Sequence, residues 1–117
     1  NAQNSVLSKI DGGASWSLEM NKPIDVANSS FSKTLDETNF TIVIIDATAV
    51  INLPDPADVT GRVYILVNNI NSNHSIGIVL GTTVHLLGST SPSTSLSVTA
   101  GTSMIIQSDG NTWYQIH

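Results

Sequence analysis

Cysteine is missing from this 117-residue chain, and cations nearly so: Lys9, Lys22, Lys33 and Arg62 are the only Lys or Arg residues. The first absence excludes disulfides and thiolate metal sites, and it leaves the compartment open. The second, at a net charge of −5, leaves nothing to neutralise a run of phosphates, so nucleic acid and anionic lipid are not expected partners. Aromatic residues are only 5% of the chain, fewer than a dedicated carbohydrate-binding surface would carry. No apolar run approaches the ~18 residues of a transmembrane helix, so no membrane insertion is expected.

What the chain does have is uncharged polarity. Ser (16), Thr (12) and Asn (11) make up a third of it, while charged residues are 11%. The length fits one domain with a modest core, for which oligomerisation would be unsurprising. Apolar positions never recur at helical spacing, and Gly, Pro, Ser, Thr and Asn interrupt every window of about a dozen residues. Strand signals are strong instead. Ser95–Thr99 alternates cleanly; Phe40–Asp46 and Arg62–Asn68 are apolar on both faces, which requires a covering layer or a neighbouring copy on each side. Further strands are expected over residues 49–53, 75–80, 83–87, 103–107 and 112–116, roughly seven or eight in all, at the spacing of a sandwich or barrel.

Between these runs lie turn residues. Asn68–Ser75, Gly88–Ser95 and Ser108–Asn111 have hairpin or surface-loop chemistry, and Asp55–Val59 fits one turn of helix entered through proline. No internal repeat is visible. A shift in composition near residue 36 divides an N-terminal arm or edge-strand segment, 1–35, from a compact module, 36–117. The expected fold is therefore all-β: an antiparallel sandwich or barrel-like module with an extended N-terminal arm. The opening Asn1-Ala2, without Met, fits a mature exported chain, and the expected setting is extracellular, at a cell surface or on a virion fibre.

Several strings in fixed order, Leu53-Pro54, Gly61, a strand ending in Asn68, and Ser108-Asp109-Gly110 followed by Trp113-Tyr114, resemble a β module of phage tail-fibre-like proteins and large bacterial secreted or surface proteins. The resemblance covers residues 36–117 and implies a stalk-like or distal interaction module, often threefold, with no enzymatic residues to carry over. One departure is Val67 before Asn68, where such modules often have Lys, and it leaves the loop from Asn68 to Ser75 unconstrained by analogy.

Trp113 and Tyr114 are adjacent, so on a strand they point to opposite faces and cannot form one flat platform. With Asp109 and Gly110 they are expected to form a structural clasp or subunit interface. Trp16 and Tyr64 are the candidates for ligand binding, by stacking on a sugar. His74, His85 and His117 lack metal-ligand spacing, and no metal or cofactor is expected; in a threefold assembly His85 could still ring an axis. Asp46, Asp55, Asp58 and Asp109 read as turn stabilisers, since no calcium-loop string is present. Asn28, Asn39 and Asn73 head Asn-x-Ser/Thr triplets, which chance explains in so Asn-, Ser- and Thr-rich a chain. No Gly-x-Ser-x-Gly elbow exists, and no enzyme is expected.

The expected function is a non-enzymatic, homotrimeric structural or interaction module for adhesion or receptor recognition, with a surface glycan or receptor as partner. The alternative is a monomeric carbohydrate-binding module of a secreted protein, using Trp16 and Tyr64.

Overall fold

The structure, a computed structural model, describes residues 21–117. Among them the chain is all-β, as expected, with ten strands and a single turn of 3-10 helix at Pro56–Asp58. The strands are β1 (Ile24–Ala27), β2 (Ser32–Thr34), β3 (Thr41–Ile44), β4 (Val50–Asn52), β5 (Val63–Asn68), β6 (His74–Ile76), β7 (Val84–His85), β8 (Leu96–Val98), β9 (Ser103–Ser108) and β10 (Trp113–Gln115). Six of them form one sheet in the order β1-β3-β5-β9-β10-β7. Two short ladders, β2-β4 and β6-β8, supply the strands that alternate with it along the chain.

Pairing directions are mixed rather than wholly antiparallel. β1 lies parallel to β3 and β3 parallel to β5, while β2 lies parallel to β4. A parallel bridge from Asn52 to Gly77 continues that second ladder toward β6. The chain therefore winds three times, alternating a strand of the large sheet with a strand of the second layer, in the manner of a β-solenoid. Only afterwards does it reverse: β8 runs antiparallel to β6, β9 to β5, and β10 to β9. Parallel neighbours need a crossover, and here each crossover is the second-layer strand itself.

Side-chain bonds hold the early turns where the chain crosses between layers. Asn28 Oδ1 accepts from the Ser30 amide (3.0 Å) and hydroxyl (2.8 Å). Eighteen residues later Asp46 Oδ1 accepts from the Thr48 amide (2.9 Å) and hydroxyl (2.6 Å). Each corner folds on itself through the side chain, an Asx turn, and delivers the chain to the opposite layer. The third corner is pinned more deeply. Buried Asn68 donates through Nδ2 to the Ser72 and Val98 carbonyls, both at 2.8 Å, and accepts from the Ile70 amide at 3.1 Å. This loop is a layer crossing, where turn composition alone is equally compatible with a hairpin. Just after β6, Gly77 lies against the Asn52 side chain, whose Oδ1 stands where a Cβ would project.

A coil repeat thus exists where none is legible in sequence. Equivalent positions share a role and seldom a residue: Asn28 and Asp46 turn the corner, and Leu35 and Leu53 each enter the core just after the second-layer strand. Their amides donate at 2.8 Å to the Asn52 and Gly77 carbonyls, one coil onward in each case.

The core lies between the layers. Ile42, Ile44, Tyr64, Leu66, Ile106 and Trp113 project from the large sheet, and Ile51, Leu53, Ile76, Leu96 and Val98 oppose them. At ~1.5–3 kcal/mol for each large apolar side chain buried, this layer is the main source of stability. β1 and the residue that follows β2, from the segment read as an arm or edge strand, add buried Ala27 and Leu35.

The corner carboxylates make stability depend on acid. Asp46 is held below the ordinary aspartate value of 3.8 by the Thr48 hydroxyl and amide, and Asp36 likewise by the Thr38 hydroxyl and amide and by Lys33. Asp109 is lowered by the Thr112 and Asn111 amides. A depressed folded-state pKa contributes stability in full above the unfolded value and loses it as pH falls through the folded one. Urea midpoints are accordingly expected to drop as pH is lowered below 3.8, and Asp46→Asn, which keeps the acceptor but cannot titrate, should flatten that slope. An unchanged slope would remove Asp46 from the account.

Candidate functional site

The distinctive strings of the sequence meet in one place. Trp113, fully buried, packs against the Tyr64 ring at 5.7 Å between centroids, and its Nε1–H donates to the Pro54 carbonyl at 3.3 Å. Ser108 Oγ donates to the Pro56 carbonyl (2.8 Å), and the Gly61 amide donates to the Ser108 carbonyl (2.8 Å). Asp109 Oδ1 accepts from the Asn111 (2.8 Å) and Thr112 (2.9 Å) amides and so shapes the turn. Gly110, at φ 93°, sits against Thr60. The proline-rich loop and the last hairpin are thereby locked together across half the chain length.

Tyr64 is corrected as a ligand-binding residue. Its ring is fully buried, and its hydroxyl donates to the Asp36 carbonyl at 3.0 Å. Burial pushes the phenol up to about 12, so it stays a neutral donor and offers no face to a ligand. The other candidate, Trp16, lies outside the described residues. His74 occupies β6 and is buried, with Nε2 lacking a hydrogen-bond partner among the described residues. Asn39, also buried, is spent on Asp25 and the Asp36 amide. Among the described residues no three His, Cys, Asp or Glu side chains converge as metal ligands, and no helix is long and apolar enough to cross a membrane.

What the structure does present is the outer face of the large sheet. Register places Ile24, Thr41, Ile65, Ile105 and Ile116 in one row across the strands. Val26, Val43, Val67 and Ser103 form a second row, and Val63, Gln107, Tyr114 and His85 a third. None of these residues is buried, whereas Ile42, Ile44, Tyr64, Leu66, Met104, Ile106 and Trp113, on the other face of the same strands, all are. None is charged. Six strands at ~4.8 Å spacing make this face about 24 Å across. Ile24 (65% exposed), Val26 (54%) and Ile116 (48%) are the most open of its aliphatic positions. These apolar residues are contiguous rather than scattered singly, which is the arrangement that carries information in a protein surface.

At the polar end of the face the Tyr114 ring stacks on His85, with centroids 4.8 Å apart and planes 11° from parallel. Beside it a groove of about 320 Å³ is lined by Gln107, Ser108, Asp109, Tyr114, Gln115 and Ile116. Sequence alternation marks Val63, Ile65 and Val67 as a separate face of β5. It cannot show that β1, β3, β9 and β10 align their own outward residues with them, because that depends on register.

Comparison with family models, curated proteins and solved structures finds no match to this chain.

The clasp has a direct test. A methyl group at Gly110 would face the αL penalty of ~1–2 kcal/mol and come within 2.8 Å of Thr60 Oγ1. Gly110→Ala is expected to lower unfolding stability by about 1–2 kcal/mol in urea titration, with far-ultraviolet circular dichroism unchanged. A neutral result would mean that the turn is not a point of constraint.

Proposed function

We propose that the chain is a non-enzymatic structural and interaction module of a fibre-like or cell-surface protein, assembling in threes and serving adhesion or receptor recognition. The observation that carries this reading is the uncharged, apolar outer face of the six-stranded sheet. Among the described residues no Asp, Glu, Lys or Arg stands on any of the three successive rows.

A second copy of the chain is the occupant that fits. Copies of one chain carry the same net charge of −5 and repel unless their carboxylates stay away from the seam; none of the described carboxylates stands on the three rows. A face with an apolar centre at Val43, Ile65, Val67 and Ile105 and a polar edge at Gln107, His85 and Tyr114 has the anatomy of a protein interface, whose polar rim stays open to solvent. The resemblance of residues 36–117 to tail-fibre-like modules favours three copies. Recognition through loops and seams then gains from multivalency, since weak sites on one rigid assembly act at high effective concentration.

Size in solution tests the assembly. At micromolar concentration the wild type is expected to scatter light as three times the 12.4 kDa of one chain. Ile65→Asp, at the centre of the first row, should give a folded single chain, because an unpaired carboxylate at a closed seam costs several kcal/mol. A wild-type monomer would overturn the reading.

A further inference from the structure

The groove beside Tyr114 carries chemistry that packing between copies does not call for, and we propose that it is a binding site for a neutral sugar ring, with Tyr114 as the stacking platform. This deepens the recognition half of the proposed function by naming a ligand class and a place.

Stacking on a sugar needs an aromatic face that is exposed and held still. Tyr114 is 41% exposed, and His85 lies flat against its ring at 4.8 Å, so the ring direction is set before a ligand arrives. Ile116, two residues on and on the same face of the strand, extends the apolar wall. A pyranose presents a matching C–H face, and aromatic rings with an apolar body and polar tip are suited to such half-wet contacts.

Hydroxyls on the ring edge need acceptors that are not already used. Asp109 accepts both turn amides through Oδ1, which leaves Oδ2 without a hydrogen-bond partner among the described residues. Gln107 donates through Nε2 to the Gly61 carbonyl at 3.2 Å, which fixes the amide and leaves Oε1 as a second acceptor without a partner among the described residues. Gln115, by contrast, is engaged through both ends, accepting from the Leu87 amide and donating to the His117 carbonyl. A charge-assisted bond from a hydroxyl to a carboxylate is about twice as strong as a neutral one.

The same inventory argues against other ligands. Asp109 repels phosphate and carboxylate groups, and among the described residues no Lys or Arg lines the groove. One carboxylate falls far short of the six or more oxygens that calcium takes. At about 320 Å³ the groove is at the small end of the ~300–1,000 Å³ range of ligand sites, which suits one or two sugar rings.

The test is titration calorimetry and saturation-transfer NMR on the full chain with the methyl glycosides of glucose, galactose, mannose and N-acetylglucosamine. At least one should bind. Tyr114→Ala should weaken it at least about tenfold, the range of an anchor residue, and Tyr114→Phe, which keeps the ring face, by under about threefold. Asp109→Asn retains the turn acceptor and should cost about fivefold through loss of the charged oxygen. Ile65→Asp, which breaks the assembly, should leave the affinity per chain within about twofold, so failure of the trimer and failure of the sugar site are read separately. No binding by the wild type at about 10 mM sugar, where even a millimolar Kd saturates, would overturn the proposal, and so would a loss smaller than tenfold in Tyr114→Ala.

Discussion

The Trp113 indole is the pivot on which this molecule closes. Its ring fills the space beneath Tyr64, and its one hydrogen-bond donor reaches the Pro54 carbonyl 59 positions earlier. That single contact joins the last strand to the loop between the second and third coils. It adds to the β5–β9 ladder, which ties the antiparallel half of the sheet, β9 and β10, to the solenoid half. The neighbouring bonds from Ser108 to Pro56 and from Gly61 to Ser108 fall within a few residues of it. Buried polar groups are costly unless satisfied, so the three bonds hold the two segments in one relative position.

That closure sets the outer face. Because Trp113 points inward, Tyr114 points outward, and the antiparallel register sets it opposite Gln107 while the parallel pairing with β7 sets it beside His85. A residue whose contacts are all on the surface is thus oriented by one that is wholly interior. The groove beside Tyr114 and the apolar rows are products of the same sheet. The rows form an uncharged plane, and the groove lies where that plane turns polar.

Much of the strand pattern is legible in the order of residues alone. The doubly apolar runs at Phe40–Asp46 and Arg62–Asn68 contain β3 and β5, and the Pro-Ala-Asp turn is a 3-10 helix. Strand direction is not legible. An Asx corner and a hairpin turn draw on the same residues, Asn, Asp, Ser and Thr, and nothing local says whether the next strand lies beside its predecessor or across from it. Tyr64 misleads for a related reason. On β5 it alternates with Val63 and Ile65, and local pattern allows either face to be the inner one; the Asp36 carbonyl that takes its hydroxyl lies 28 residues away. His74 sits one residue before the expected strand, and that single step turns a loop histidine into a buried one.

By itself the sequence determined class and exclusions. Period-two alternation, scarce charge and absent cysteine are properties of composition and spacing, and they suffice for an all-β chain with few cations and two-faced strands. Only the tertiary structure decided which face of each strand is interior, which strands run parallel, and which outward residues share a row. Outside the last hairpin those are relations between residues 17 to 59 positions apart, set by register and by where the closing Trp113 docks, and no local pattern encodes them.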